Sequence, residues 1–404
     1  MLGLHPKAPE GGVSRQRRLR VLHCLWDGEL GGAERAVYQL VREQLKDPSL
    51  EPALLFAQGR GLYWERANAL GCGVFALGIT NGRAVRAVTT APDLMRGFDI
   101  HHFHSAEPLL MLASARCRGA CRVYTHRGGM MRYALRKRLQ YEAAGLITRH
   151  SFHGFSGNTA HAARSGARLF RLPASSFKTT YNGLDFDLLA VGRTRAAVRE
   201  AVGFAADDFV LGTSANLREW KRIDRLIDAV AAVHDARMRL LVIGDGPDHA
   251  RLENHAQQLG VSSNVVFAGR QEHPWDYVQA MDAFSLPSTA MESFGNAAVE
   301  AMALGVPTLV FADGGGLVEH VDNDVTGFVV SNQRELEATL MRLIADPELG
   351  KRVGARGAAI IRARYTPPQS AAVYREFYRH ALQSAQRSSA ESPGLLEPDS
   401  PRVG

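Results

Sequence analysis

The residues best suited to chemistry lie together in one segment of the chain, between Pro287 and Thr308. The segment follows a predicted strand and opens a predicted helix near Phe294. The first N–H groups of that helix, at Gly295 and Asn296, have no partner within the helix and lie at the positive end of its dipole. Such a helix start can bind anionic or hydroxyl oxygens of a ligand.

Two glutamates flank this helix start with the spacing E-x(7)-E. Glu292 lies just before the helix, where its carboxylate could cap the free N–H groups. Glu300 lies four residues after Asn296, so the two side chains share one helix face and could contact a common ligand. A capped helix with a solvated Glu300 is the structural alternative, and an isolated E-x(7)-E pattern does not exclude it.

The elements that must position these residues alternate along the whole chain. Short runs rich in Val, Leu, Ile and Phe alternate with longer amphipathic stretches, such as residues 223–233, whose apolar positions recur with the helical period. Many runs are apolar on consecutive residues, as in parallel strands covered on both faces. The predicted strands are residues 20–26, 52–57, 73–77, 99–104, 122–126, 154–156, 208–214, 239–244, 264–269, 282–286 and 307–311. The alternation predicts an α/β fold with two doubly wound, Rossmann-like domains.

Composition and charge also indicate two domains. The chain has 404 residues, of which 46% are hydrophobic and 22% charged, the balance of a globular protein. Residues 1–185 contain 26 Lys and Arg against 13 Asp and Glu, whereas residues 186–404 contain 22 against 28. The change of sign places the domain boundary between Asn182 and Arg195. The basic half could face the phosphates of a lipid, a nucleic acid or an anionic substrate.

Several classes of protein are disfavoured by what the sequence lacks. It has no uncharged run of about 18 apolar residues and no signal-peptide core, which indicates a cytoplasmic protein. Its four cysteines are too sparse for a disulfide scaffold, and the C-x(3)-C spacing of Cys117 and Cys121 is not that of a zinc site. A dehydrogenase G-x-G-x-x-G fingerprint, a P-loop, a G-x-S-x-G elbow and nucleic-acid-binding signatures are also absent.

The segment and its surroundings resemble the retaining nucleotide-sugar glycosyltransferases of glycosyltransferase family 4, which have the two-domain GT-B fold. The family pattern E-S-F-G-x(4)-E-A-M-A-x-G-x-P-V runs from Glu292 to Pro307, with Thr308 in place of the final valine. Other family motifs occur in the expected order: Gly31-Gly32-Ala33-Glu34, then residues 99–104, 182–185, 241–247, 313–319 and 326–330. The match is dense from about residue 203 to residue 330 and says little about the sugar.

The resemblance implies a role for each matching position in the second half of the chain. Glu300 would bind the ribose hydroxyls of the donor nucleotide, and Glu292 would lie beside the donor sugar as a stabiliser or nucleophile. The backbone amides of Phe294, Gly295 and Asn296 would hold sugar hydroxyls, in agreement with the free N–H groups of the helix start.

Further donor contacts are implied on both sides of the predicted cleft. The Gly31-Gly32 turn would bring its N–H groups against the diphosphate, because glycine lets the backbone approach closely. Gly244 and Arg270 are also expected among the donor-binding residues. A plain turn into a helix is the structural alternative for Gly31 and Gly32.

The sequence departs from the family pattern at the phosphate clamp. The family usually has an arginine, four other residues and then a lysine; here Lys221 is present, but Asn216 stands at the arginine position. A metal-free retaining transferase needs positive charge on the leaving diphosphate, where negative charge develops. Lys221 could supply one charge and either Arg218 or Arg222 another, whereas Asn216 can donate only a neutral hydrogen bond. The structural alternative is a solvated helix start.

Histidines at the ends of two predicted strands are the candidate catalytic residues of the first half. His126 resembles the histidine that the family places beside the donor sugar, where its backbone or ring can assist. His104, with His102 two residues before it, matches the preceding strand of the family. Packing or exposure to solvent is the alternative for His104.

A basic amphipathic segment follows His126. Residues 130–146 mix Met, Tyr, Leu and Ile with the basic residues Arg132, Arg136, Lys137 and Arg138. Basic amphipathic helices bind anionic membrane surfaces, and some members of the family dock this region on a membrane to reach lipid-linked acceptors. An ordinary solvated helix is the alternative.

The sequence therefore predicts a retaining hexosyltransferase that uses a UDP- or GDP-sugar and no metal or other cofactor. The predicted parts are an acceptor domain at 1–185, a donor domain at 186–366, a helix at 367–383 that returns to the first domain, and a disordered tail at 384–404. We expect a polysaccharide or lipid-linked acceptor in bacterial cell-surface polysaccharide, lipopolysaccharide or glycolipid synthesis, and no nucleic acid as partner. A nucleotide-sugar epimerase or hydrolase of the same fold, or a binding protein that has lost transfer, is the alternative.

Overall fold

The computed structural model describes residues 17–29, 31–59, 61–79, 84–129 and 135–390, which form two parallel β-sheets flanked by helices. The first sheet contains β1 (Leu19–Leu25), β2 (Leu50–Phe56), β3 (Gly73–Ala76), β4 (Ile100–Phe103), β5 (Cys121–His126), β6 (Gly154–Gly157) and β7 (Phe177–Thr179). Its order is β3-β2-β1-β4-β5-β6-β7. The winding reverses between β1 and β4, and open α/β sheets bind ligands beyond the carboxyl ends of strands at such a point.

The second sheet repeats this plan. It contains β8 (Phe209–Ser214), β9 (Met238–Ile243), β10 (Val265–Gly269), β11 (Ala283–Ser285), β12 (Thr308–Phe311) and β13 (Phe328–Val330). Its order is β10-β9-β8-β11-β12-β13, so the winding reverses between β8 and β11. The two sheets, each with its helices, are called the first and second domains below. The predicted α/β fold with two Rossmann-like sheets is confirmed.

Helices connect the strands and cover both faces of each sheet. They are α1 (Gly32–Gln44), α2 (Leu62–Asn68), α3 (Ala84–Met95), α4 (Pro108–Ala115), α5 (Leu135–Ser151), α6 (Ala160–Leu169), α7 (Arg195–Ala201), α8 (Asp224–Ala232), α9 (His249–Gln258), α10 (Pro274–Val278), α11 (Asn296–Ala303), α12 (Gln333–Ala345), α13 (Pro347–Arg364) and α14 (Pro367–Ala390). In α8 the apolar residues Leu226, Ile227 and Val230 are buried against the second sheet. The helix predicted at 223–233 is thus confirmed, and its apolar period explains which face it buries.

The sequence pattern located eleven of the thirteen strands. The missed strands, β7 and β13, have three residues each and lie at the edges of their sheets. A run of three residues is too short for an apolar pattern to be recognised as a strand. They are strands because a neighbouring strand already offers its free N–H and C=O groups to them.

The C-terminal helix α14 packs on the first domain rather than on the second. Its residues Tyr374, Phe377 and Tyr378 are buried in a cluster that includes Val21 and Ile100 of the first sheet. The predicted start of the disordered tail at residue 384 is wrong, because α14 continues to Ala390. Its last turns stay ordered because residue 385 still packs against the same cluster. The rest of the predicted tail, residues 391–404, lies outside the described residues.

Candidate active site

The carboxyl ends of the two sheets face each other, and loops from both meet there. Ser293, in the loop before α11, donates a hydrogen bond from Oγ to the backbone carbonyl of Arg127 at 3.0 Å. The backbone N–H of Gly129 donates to the carbonyl of Met291 at 3.2 Å. The segment after β5 therefore lies directly on the segment that carries the predicted catalytic glutamate.

A sharp backbone turn places the start of α11 in this cleft. Gly295 precedes the helix with φ of 73°, in the left-handed region, and a Cβ at this position would overlap the side chain of Leu317. Only glycine meets both conditions, which explains its place in the motif. Buried Phe294 anchors the turn. The side chain of Asn296 then reaches across the cleft and donates to the carbonyl of Gly32 at 3.3 Å.

Glu300 lies on the same helix face as Asn296, as predicted, but it has partners that the sequence did not suggest. Its carboxylate forms an ion pair with Arg35 of α1 and accepts a hydrogen bond from Trp275 Nε1 at 3.3 Å. Burial lowers the pKa of Arg35 from its usual value. The buried Glu300 is thus neutralised by a cation from the opposite domain. The sequence contained one indication of this contact: Arg35 lies one turn into the helix that follows Gly31-Gly32.

Lys221 and Glu292 come together, although 71 residues separate them. The Lys221 Nζ lies 2.5 Å from Glu292 Oε2, and their side chains are only 13% and 11% exposed. The hydroxyl of Ser288 donates to the same carboxylate oxygen at 3.3 Å, and Nζ also lies over the ring of Trp220. The arrangement holds one lysine charge beside the start of α11, within a site that excludes most water.

The rest of the predicted phosphate clamp is more open. Asn216 is exposed and lies beside the turn that follows β9, where Gly244 adopts a φ of 115°. Arg222 is held by Asp224, with Nε 3.0 Å from one carboxylate oxygen. The side chain of Arg218 is exposed and has no ion-pair partner in the described part of the chain. Of the two predicted substitutes for the missing arginine, Arg218 is therefore the one that is available to a ligand.

Arg270 and His126 occupy different surroundings. Arg270 is exposed at the end of β10. His126 is buried at the end of β5, and its Nδ1 lies 3.0 Å from the hydroxyl of Tyr124. Burial lowers the pKa of His126 to about 4, so the imidazole is neutral at pH 7. Its Nε2 has no hydrogen-bond partner among the described residues.

Comparison with known proteins agrees with this geometry. Residues 194–359 match the family model described as Glycosyl transferases group 1. This part of the chain, which contains the second sheet, is similar to that family. Its match covers the second sheet from β8 to β13, with the helix start at Asn296 and both glutamates of the E-x(7)-E pattern.

Two curated relatives illustrate the range of the family. The chain is 26% identical over 213 residues to the N-acetyl-alpha-D-glucosaminyl L-malate synthase of Bacillus anthracis, covering 52% of this chain and 55% of that protein. It is 30% identical over 249 residues to the D-inositol 3-phosphate glycosyltransferase of Mycobacterium tuberculosis, covering 58% and 51%. The chain thus matches about half the length of these curated relatives.

Solved structures share the fold along nearly the whole chain. Anabaena Alr3699/HepE in complex with UDP has a TM-score of 0.77 at 21% identity, covering 88% of this chain and 98% of that one. WaaG, a glycosyltransferase involved in lipopolysaccharide biosynthesis, has a TM-score of 0.67 at 17% identity, covering 87% and 98%. These neighbours confirm the predicted GT-B fold.

Ten buried or half-buried side chains of the first domain and α14 form a closed ring of hydrogen bonds, called the polar ring below. Starting from α1, the ring runs through Gln44, His23, His104, Arg127, Tyr374, Thr180, Ser156, Thr125, His102 and Tyr378, and returns to Gln44. Successive partners lie between 2.7 and 3.4 Å apart. It joins four strands of the first sheet to α1 and α14, and a fully satisfied polar network of this kind makes the packing specific.

One arrangement of protons satisfies the histidines of the polar ring. Arg127 always donates, so His104 accepts at Nδ1 and must donate from Nε2 to His23, which in turn donates to Gln44 Oε1. The histidines are therefore neutral. Burial, together with the charge of Arg127, lowers the pKa of His23 to about 4 and the pKa of His102 well below its usual value.

His23, His102 and His104 also have the geometry of a metal site, since a ring nitrogen from each lies within 4.8 Å of the others. All six ring nitrogens, however, already have hydrogen-bond partners in the polar ring. A guanidinium beside His104 would also repel a cation. We therefore assign these histidines a structural role, which settles the open alternative for His104 in favour of packing.

Arg127 connects the polar ring to the cleft. Its Nη1 donates to Asn182 Oδ1 at 2.7 Å, and Asn182 donates from Nδ2 to Asn296 Oδ1 at 3.2 Å. Position 127 was not among the predicted site residues, although it directly follows His126. The chain of contacts links the packing of α14 to the orientation of the helix start at which a donor is expected.

The buried histidines make stability depend on pH. The folded pKa of His23, His101, His126 and His320 is lowered to about 4 by burial, whereas unfolding restores an ordinary value of 6.5. The unfolded chain therefore binds more protons between these values, and stability falls as the pH drops from about 6.5 towards 4. Each such histidine should cost on the order of 1–2 kcal/mol at about pH 5.

We expect urea denaturation to show a clearly lower midpoint at about pH 5 than at about pH 7.5, at equal ionic strength. The exposed His380 provides a matched control, since His380→Gln should leave the pH dependence unchanged. Equal midpoints at the two pH values would contradict the assignment of buried neutral histidines.

Proposed function

We propose that the protein transfers a sugar from a UDP-sugar to an acceptor hydroxyl with retention at the anomeric carbon. The observation that carries this proposal is the buried Lys221–Glu292 pair beside the start of α11, with Glu300 one turn further along the same helix. A cation, free helix N–H groups and a carboxylate in this order suit a diphosphate, a sugar and a ribose. UDP is favoured over GDP because Alr3699/HepE, which shares the fold, is in complex with UDP and with UDP-glucose in solved structures.

The donor would lie along the carboxyl edge of the second sheet. Glu300 would accept hydrogen bonds from the ribose hydroxyls, and the amides at 294–296 would hold the sugar. Lys221 and Arg218, for which no ion-pair partner lies in the described ranges, would hold the diphosphate, which assigns the role of the missing arginine to Arg218. The start of α1 would approach from the other side, since Gly32 already touches Asn296 there.

Binding requires two of the observed ion pairs to open. Arg35 must release Glu300 before that carboxylate can accept from a ribose, and Lys221 must exchange Glu292 for a phosphate oxygen. Lys221 would exchange one anionic partner for another, whereas Glu300 would exchange a guanidinium for neutral hydroxyl donors that still satisfy its carboxylate oxygens. Glu292, freed from the lysine, would then face the donor sugar and stabilise positive charge at the anomeric carbon.

In the transfer step the bond from the anomeric carbon to the diphosphate breaks, and a bond to the acceptor oxygen forms on the same face of the sugar. The acceptor proton passes to the leaving phosphate oxygen. Lys221 stabilises the negative charge that develops on that phosphate. His126 is neutral and buried, so it would position the sugar through its backbone or through Nε2, which has no hydrogen-bond partner in the described ranges, rather than carry charge.

Substitution of the clamp and of the ribose carboxylate tests these roles. Lys221→Ala and Glu300→Ala should each lower UDP-sugar consumption at least about tenfold, or about 1.4 kcal/mol of transition-state stabilisation. Lys351→Ala is the matched control, because Lys351 is exposed on α13 and pairs with nearby Glu348. Wild-type turnover in a folded Lys221→Ala variant would contradict the clamp.

The assay measures UDP release from a panel of UDP-sugars, with and without a bacterial lipid extract as acceptor source. Stimulation by the extract supports a transferase. Equal release with and without it would favour the hydrolase, and UDP binding without any release would favour a binding protein that has lost transfer.

We further propose that the acceptor is a lipid-linked or polysaccharide hydroxyl at a bacterial membrane surface, to which α5 docks. On α5, Leu135, Leu139 and Leu146 are 72%, 56% and 63% exposed and share one face of the helix. The basic residues predicted to accompany them are Arg132, Arg136, Lys137 and Arg138. Arg132 and the side chains of the other three lie outside the described residues.

Exposed leucines beside a basic sequence fit an anionic lipid surface better than water. Leu109 and Leu112 of the neighbouring α4 are also exposed, at 43% and 44%. Among the described residues, no helix has the length and apolar character needed to span a membrane. WaaG, which shares the fold, is involved in lipopolysaccharide biosynthesis, and this supports a surface glycan or glycolipid as the product here.

Vesicle co-sedimentation tests the docking surface. The full chain should bind vesicles containing about one quarter anionic phosphatidylglycerol and bind neutral phosphatidylcholine vesicles weakly. A triple change of Leu135, Leu139 and Leu146 to Ser should reduce binding at least about fivefold and leave UDP binding unchanged. Met341→Ser, at an exposed apolar residue of α12, is the control. Equal binding by the triple variant and wild type would contradict docking through α5.

A further inference from the structure

The first turn of α6, in the first domain, is capped by a carboxylate from the second domain. The N–H groups of Ala160 and His161 donate to Glu319 at 2.9 and 2.6 Å, one to each carboxylate oxygen. The hydroxyl of Tyr181 donates to Glu319 at 3.0 Å. The first N–H groups of a helix have no partner within it, and a negative charge there is stabilised by the helix dipole. Glu319 thus forms a charge-assisted clamp between the domains.

Contacts on both sides of Glu319 extend the clamp to the catalytic loop. Thr159, which caps α6 from within, also donates from Oγ1 to the carbonyl of Ser293 at 2.8 Å. The ring of His161 lies 2.8 Å from the carbonyl of Ala290 and donates to it through Nε2. The start of α6 therefore rests on the same loop that carries Glu292.

The body of α6 supports His126. Gly166 packs so closely on this histidine that a Cβ at position 166 would lie 3.0 Å from the His126 Cβ. One end of α6 is thus fixed to the second domain, and its middle holds the end of β5 in place. Any movement of the first turn of α6 away from Glu319 would move His126 relative to Glu292.

We propose that Glu319 is a positioning residue for transfer, which closes the cleft by holding α6 against the second domain. In this role Glu319 would act without contacting the donor, because its carboxylate is used by backbone N–H groups and by Tyr181. The inference rests on the proposed function and assigns donor binding and domain positioning to different residues. Lys221 and Glu300 bind the donor within the second domain, and Glu319 sets how the first domain meets that bound donor.

The variant Glu319→Gln separates these roles, because an amide keeps one accepting oxygen and turns its NH₂ towards a backbone donor. We expect the kcat for UDP-sugar consumption to fall at least about fivefold, while the Kd for UDP stays within about twofold of wild type. Small-angle X-ray scattering should show a larger radius of gyration for the variant. Glu348→Gln removes the same charge from an exposed site of the second domain and should change none of these quantities.

Tyr181→Phe provides a second route if Glu319→Gln does not fold, as judged by circular dichroism. It removes one donor from the clamp without adding a repulsive group, so kcat should fall by a smaller factor in the same direction. Unchanged kcat and unchanged scattering in a folded Glu319→Gln would overturn the proposal. A loss of UDP affinity as large as the loss of kcat would also overturn it, because Glu319 would then act on donor binding.

Failure of the proposed function has a different signature. In that case the wild-type chain itself would neither bind UDP nor consume any UDP-sugar. The scattering comparison of wild type with Glu319→Gln would still report on the clamp.

Discussion

The contact between the carboxyl ends of the two parallel sheets is the constraint on which the rest of the structure depends. The loop at 290–293 of the second domain lies on the end of β5 in the first, through Ser293 and Met291. The Gly129–Met291 hydrogen bond joins two backbone groups, whereas the side chains of Ser293, Thr159 and His161 each donate to a backbone carbonyl of the other domain. The residues proposed for donor binding and for catalysis come together only because this contact exists.

Charge is distributed across that contact in matched pairs. Glu292 and Glu300 both belong to the second domain. Glu292 is neutralised by Lys221 of the same domain, and Glu300 is neutralised by Arg35 of the first domain. Buried charges without partners are costly, so a site built to hold a diphosphate must keep its cations engaged by other groups. In the proposed complex, a bound nucleotide would replace partners that the protein otherwise supplies.

The polar ring explains why the chain returns to the first domain after completing the second. Tyr374 and Tyr378 of α14 each fill a place in the ring, so the helix is fixed by polar contacts as well as by its apolar face. From the ring, Arg127 reaches Asn182 and through it Asn296. The C-terminal helix thereby connects the core of one domain to the helix start of the other, and with the Glu319 clamp it joins the two domains at more than one place.

Much of this could be predicted from the sequence, for a physical reason. Buried parallel strands have continuous apolar runs, and the start of α11 has its glycine and flanking glutamates close together in the chain. Partners that meet across the cleft leave no such local pattern: Arg35 and Glu300 are 265 residues apart, and His161 and Glu319 are 158 apart. In the sequence, Arg35, Glu300 and Glu319 are indistinguishable from ordinary surface charges, and the backbone N–H of His161 belongs to an ordinary helix start. The departure at Asn216 was visible in the sequence, but only the structure showed that Arg222 pairs with Asp224 and that Arg218 has no ion-pair partner within the described part of the chain.

Hydrogen–deuterium exchange with and without UDP tests most directly whether the donor binds at the carboxyl edge of the second sheet. At saturating UDP we expect exchange to slow in peptides covering 292–300 and 216–221, with a smaller effect at 31–35 across the cleft. Slowing confined to the first domain away from the cleft, or no slowing in either segment despite bound UDP, would contradict the account.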